Sequence, residues 1–167
     1  MAWKLMLASA VAMAARTVPL VAASSQGKTF VAGASGSMML KPAPIEPSWV
    51  LSGQPQARLA EHSRGDDDAA VTAVWDCTAG EFRWHFGWDE TVIILEGEVH
   101  VTAEDGTERT LAKGDVAYFS GGTWATWRVD HYVKKVAFCR KPFPKPLALA
   151  YRLRNLLRGG ATSGIAA

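Results

Sequence analysis

The sequence predicts an all-β domain of the barrel or sandwich type, and three observations carry that reading. Glu81-Phe82-Arg83-Trp84-His85-Phe86 alternates polar and aromatic residues with the period of two that a strand imposes. Between Val71 and Cys139, short runs rich in β-branched and aromatic residues are separated by glycine-containing turn signals. No stretch in that interval reads as a helix. The 167 residues fit one domain with tails, and 49% hydrophobic residues suffice for a core. A net charge of +2 argues against a dedicated nucleic-acid binder. Two cysteines exclude a disulfide-dense scaffold and any Cys-rich zinc module.

Charge divides the chain. Residues 1–45 and 140–167 contain no acid, and all 16 acids lie between Glu46 and Asp130. We therefore read residues 1–41 as an N-terminal segment outside the fold, 42–142 as the domain, and 143–167 as a C-terminal appendage. In the first segment, Lys4 precedes an apolar run from Leu5 to Ala15 that is too short to span a bilayer. It has the plan of a secretory signal, and its acid-free, Ser-containing composition also fits an organelle transit peptide. Three readings stay open: a cleaved targeting segment, a gene-model artefact ahead of a true start at Met38-Met39, or a disordered native tail. The expected location is cytoplasmic, with Cys77 and Cys139 as free thiols. If residues 1–25 are a cleaved signal, the protein is exported or organellar and a disulfide becomes possible.

Within the domain, Pro42 to Ser63 holds four of the eight prolines together with Trp49 and Leu51, and reads as an extended arm or edge strand. His62 to Asp68 is a polar surface loop. Asp66-Asp67-Asp68 lacks the ligand spacing and glycine of a calcium loop and is a solvated tip. Strands follow at Val71–Cys77 and 81–86, separated by the turn signal Thr78-Ala79-Gly80, and then along Thr91–Ala103. Asp105-Gly106 makes a hairpin turn and Gly114-Asp115 another. Strands at Val116–Phe119, Trp124–Val129 and Tyr132–Cys139 complete the series. Lys141 to Pro146 is a stiff connector. Residues 147–158 read as a helix closed by Gly159-Gly160, with Leu149, Leu153, Leu156 and Leu157 at helical spacing and Arg154 and Arg158 one turn apart. This helix either docks on its own barrel or across a dimer, or meets an anionic membrane surface through residues 147–158.

Two segments resemble the cupin motifs. The first motif is His-x-His, three or four residues, Glu, six residues, Gly. Counting back from Gly97 places its glutamate at Glu90 and, with four intervening residues, its histidines at His85 and Arg83. The second is Gly, five residues, Pro-x-Gly, two residues, His, three residues, Asn. Here it falls on Gly114, Ser120, Gly122, Ala125 and Val129. Asp89-Glu90-Thr91, Leu95-Glu96-Gly97-Glu98, Trp127 and Lys135 are similar to the small RmlC-like cupins of the ureidoglycine aminohydrolase type and the ethanolamine-utilisation type. The resemblance implies a double-stranded β-helix, the cupin jelly-roll barrel, with an N-terminal arm and a short C-terminal helix.

The resemblance also implies a metal held by three His and one Glu inside the barrel. Only His85 and Glu90 are present at those positions. A guanidinium cannot coordinate a metal, and Ala125 has no donor atom. No tight metal is therefore expected, with His85 and Glu90 as candidates for a weakly bound divalent ion. Arg83 and His85 are expected to face inward, Arg83 pairing with Glu90 in the metal's place and His85 titrating beside it. Trp127 is expected to line the pocket. Phe82, Trp84 and Phe86 then face away, onto the arm or a second subunit, which implies a homodimer. Trp88 and Trp124 border the pocket mouth, while His62, His100 and His131 are surface residues.

Three functions follow. The first is a binding module for a small molecule, such as a carboxylate, with a degenerate metal site that uses Arg83, His85, Glu90 and Trp127. The second is a metal-dependent hydrolase or isomerase acting on a small nitrogen-containing metabolite. The third is a peripheral membrane or assembly protein recruited by its C-terminal helix.

Overall fold

The computed structural model describes residues 28–157. The targeting-like run at 5–15 and the glycines at 159–160 lie outside them. The elements in chain order are β1 (Lys41–Pro42), a 3-10 turn (Pro47–Trp49), β2 (Val50–Gly53), β3 (Ala57–Arg64), β4 (Ala70–His85), β5 (Asp89–Ala103), β6 (Glu108–Ala112), β7 (Val116–Phe119), β8 (Trp124–Arg140) and α1 (Lys145–Leu157). Every ladder is antiparallel. The order is β1-β3-β4-β8-β5-β6, with β2 also on β4 and β7 also on β5.

Three long strands build the domain. The segments 71–77 and 81–86 are one strand, β4, and the turn expected at Thr78-Ala79-Gly80 is a register shift within it. Likewise Trp124–Val129 and Tyr132–Cys139 are both parts of β8. Turn-forming residues inside a long strand make a bulge when both sides stay paired to the same neighbour. Here β8 pairs with β4 on one side and β5 on the other along nearly its whole length. Further shifts at Ile94/Glu96 and Gly97/His100 bend β5. These bends let long strands curl round a shared interior.

The arm is more regular than an extended coil. Ala57–Arg64 forms an eight-residue strand on β4, so His62 is a strand residue and the polar turn begins only at Gly65. A side-chain lock fastens this edge. Asp76, 1% exposed, accepts hydrogen bonds from Arg58 Nε at 3.0 Å and Nη2 at 2.6 Å, and from the Tyr132 hydroxyl at 2.9 Å. It thus ties β3, β4 and β8 together.

The core is aromatic. Phe82, Phe86, Trp75 and Trp127 are buried with Val92, Ile94, Val99, Val129 and Val133. Trp127 lies opposite Phe82, and Ala125 opposite Trp84, so these side chains share one face of the β4–β8 pair. Trp49 of the arm meets both Trp84 and Trp124 edge-on, at centroid distances of 6.0 and 5.2 Å, and closes that end of the barrel.

Gly97 is a structural requirement of the bend. Its φ is +70°, and a Cβ there would fall onto the Tyr132 carbonyl oxygen in β8. Both the backbone conformation and the space exclude a side chain. Gly97→Ala is expected to lower stability by more than about 2 kcal/mol. The midpoint of urea unfolding, compared with that of a Gly106→Ala control in an open turn, measures this.

Candidate functional site

The strand alternation puts the sequence-predicted residues on two different faces. Phe82 and Phe86 are fully buried and Trp84 packs on the core, so the aromatic set of β4 points inward. Arg83 and His85 therefore point outward, opposite to the expectation. Arg83 is exposed and its guanidinium lies 4.5 Å from the Trp124 ring, against which His85 also packs at 4.8 Å. The reason is energetic. Burying three aromatic side chains outweighs burying a guanidinium and an imidazole. The same reversal makes Phe82, Trp84 and Phe86 core rather than an exposed face for a second subunit.

The motif count shifts accordingly. With three rather than four residues before Glu90, the two histidine positions fall on Phe86 and Trp84, which do face inward. Ala125 and Trp127 also face inward, as expected, and are 3% and 1% exposed.

Glu90 does not pair with Arg83. Its Oε1 accepts a hydrogen bond of 2.6 Å from Lys135 Nζ. Lys135 is the interior cation that sequence reasoning missed. It is 4% exposed, within the run Val133, Lys135, Ala137 that β8 turns inward. A lysine in register with buried apolar residues was the available signal. Its ammonium lies 4.4 Å from the Trp127 ring centre and 5.0 Å from that of Trp75. Aromatic faces stabilise a desolvated cation by about 2 kcal/mol. Among the described residues, the Nε1 groups of Trp75 and Trp127 are buried side-chain atoms with no hydrogen-bond partner.

Two thiols border this cluster. Burial, reinforced by the Glu90 charge, pushes the Cys139 thiol up to about 12. Burial, reinforced by Asp76, pushes Cys77 up to about 12. Both are free cysteines. They cannot bridge: across the β4–β8 ladder Cys77 faces Val133 while Cys139 faces Val71, six positions away. At the neighbouring rim, Asp89 is held below the usual carboxylate range by the Gly121 N–H and by Arg140.

Two openings among the described residues share Phe119 in their lining. One, of about 360 Å³, is lined by Glu104, Tyr118, Ser120, Thr123 and Trp124 with Phe119 beneath. The other, of about 270 Å³, includes Val101, Leu111 and again Phe119. Phe119 stacks on Phe86 at 4.2 Å and contacts Trp127 at 5.7 Å, so one ring separates these openings from the aromatic interior. On the outer face, His100 bonds Asp130 at 3.0 Å and Thr110 at 2.7 Å beside a charged groove of about 290 Å³. His131 is exposed.

The interior donor set does not fit a divalent metal. The one carboxylate at the motif position is already held by an ammonium, and the three histidine positions carry Trp84, Phe86 and Ala125. Carbon surfaces offer no lone pair. Among the described residues, no three His, Cys, Asp or Glu side chains come together in a metal-holding group.

Comparison with known proteins agrees with this architecture. Residues 64–137 match the model of the EutQ-like cupin domain. A protein of unknown function of the DUF861 family from Pseudomonas syringae pv. tomato is similar at 27% identity and a TM-score of 0.56. The match covers 60% of this chain and 44% of that one, so the chain spans less than half of that relative. A predicted oxalate decarboxylase from Thermotoga maritima is similar at 16% identity and a TM-score of 0.51, covering 68% of this chain and 99% of that one. The cupin domain of Schizosaccharomyces pombe Cnp3 is similar at 15% identity and a TM-score of 0.51, covering 80% and 83%. No curated protein matches. The chain is a small cupin-domain protein with a jelly-roll β fold. Within it, residues 64–137 are similar to the EutQ-like type of cupin domain.

Two expectations follow from the interior. Lys135→Met leaves the Glu90 carboxylate without its ammonium and is expected to cost about 3–5 kcal/mol, most of it recovered in Lys135→Met/Glu90→Gln. Chemical denaturation of the wild type, Lys135→Met, Glu90→Gln and the double variant tests this through the double-mutant cycle. The raised thiols predict that neither Cys77 nor Cys139 reacts with Ellman's reagent at pH 8 in the folded protein, while both react in urea.

Proposed function

We propose that this cupin domain is a metal-independent binding module for a small carboxylate-bearing molecule, with Lys135 as the receiving cation. The supporting observation is an excess of buried donors over acceptors. An ammonium and two indole N–H groups meet a single carboxylate oxygen within hydrogen-bond distance of the ammonium. A buried donor left unpaired costs about 1–3 kcal/mol. A ligand with carboxylate oxygens relieves that deficit, and Lys135 supplies the charge-assisted bond. Glu90 holds the ammonium in place and sets which side of it is free. The ligand reaches Lys135 from the opening above Phe119, by displacing that ring.

The role first expected of Arg83 thus passes to Lys135, and His85 has no part in it. Trp127 and Glu90 keep theirs. The alternative, a metal-dependent hydrolase or isomerase of a nitrogen-containing metabolite, needs His85 and Glu90 at one centre. The two lie on opposite faces, so that reading has less support.

Binding is expected to be visible in the tryptophans themselves, because Trp75 and Trp127 flank the ammonium. Titration with acetate, succinate and benzoate should give a saturable change of tryptophan emission for at least one of them. Lys135→Met/Glu90→Gln should weaken that binding by about tenfold or more. No saturable response to any of the three, or unchanged affinity in the double variant, contradicts the proposal.

A further inference from the structure

Helix α1 stands apart from the barrel. It runs for 13 residues, Lys145–Leu157, and none of its side chains is buried. Leu149, Leu153, Leu156 and Leu157 are 58%, 52%, 76% and 88% exposed. At about 100° per residue, these four leucines fall in one stripe about 100° wide. Arg152 lies on one border of the stripe and Arg154 on the other. A helix that buries nothing of its own has too little intrinsic stability to persist in water at this length. Its apolar stripe calls for a second surface.

Charge decides which surface. From His131 to the last residue there is no Asp or Glu, whereas Arg140, Lys141, Lys145, Arg152 and Arg154 all lie in the helix or on its approach. An apolar face bordered only by cations matches a surface that is apolar below and anionic above. The helix is about 20 Å long. No helix among the described residues is long and apolar enough to cross a membrane. A short amphipathic helix of this kind lies in the headgroup plane rather than across it. Pro142 and Pro144 precede it and Pro146 sits in its first turn, and a Pro-rich approach is an extended spacer that can hold a helix away from its domain.

We propose that α1 is an anchor for an anionic lipid surface, inserting Leu149, Leu153, Leu156 and Leu157 while Arg152, Arg154 and Lys145 meet the headgroups. The barrel is thereby held at that surface, independently of what it binds.

Vesicle flotation of the full chain tests this. The protein is expected to float with phosphatidylcholine vesicles containing 30% phosphatidylglycerol, to stay down with phosphatidylcholine alone, and to be released by 0.5 M salt. Leu153→Glu/Leu156→Glu should abolish flotation with no change in the urea midpoint, because both side chains are solvent-exposed. Arg152→Gln/Arg154→Gln should lower partitioning by about tenfold or more. Three results overturn the proposal. One is no flotation on anionic vesicles. Another is flotation unaffected by the two glutamates, which places the contact in another segment. The last is a dimer, seen by light scattering, that the glutamates dissolve while vesicles are ignored, which makes the stripe a contact between two chains.

Discussion

The interior of this barrel is organised around one ion pair. Lys135 and Glu90 meet at 2.6 Å in a space otherwise walled by Trp75, Trp127 and their aromatic neighbours. Neither group could be buried alone, since an isolated charge in such surroundings is prohibitively unfavourable. Each is tolerable only because the other is there. The pair joins the start of β5 to the middle of β8, and the cation–aromatic contacts then fix where the two tryptophans stand.

That arrangement explains why the aromatic residues occupy the positions where the cupin motif has histidines. A metal brings charge that several ligands must satisfy. An ammonium brings a single charge, and one carboxylate with ring faces around it suffices. Trp84 and Phe86 can therefore replace ligands with packing. Phe86 continues into Phe119 by stacking, and Phe119 closes the barrel towards solvent. Filling the centre with rings gains apolar burial, and it leaves the buried Nε1 groups of Trp75 and Trp127 without acceptors.

The outer surface answers to different rules. Arg83 and His85 lean on Trp124, and His100 bonds Asp130 and Thr110. These are half-exposed contacts of the kind that contribute little to stability. The Asp76 lock is the exception on this side: its carboxylate is buried and takes bonds from two other strands. It secures the arm, whose Trp49 in turn covers the end of the barrel. The helix beyond Pro144 takes no part in this packing.

By itself the sequence determined the all-β class, the cupin resemblance, the turns at Gly106 and Gly114, and the helix after the prolines. Those features are written in local pattern: period-two alternation, glycines with positive φ, and leucines one turn apart. Glu90 and Trp127 were legible as interior residues because motif spacing places them relative to Gly97 and Gly122. Tertiary structure alone decided that β4 and β8 are unbroken, since a bulge and a turn share the same residues and only the neighbouring strand distinguishes them. It also decided which face of Phe82–Phe86 is inside. Alternation shows that two faces exist but carries no sign; the sign comes from what lies opposite, here Trp127 and Ala125. Lys135 was hidden for the same reason, because a single lysine in an apolar run becomes an interior cation only when another strand brings it a carboxylate.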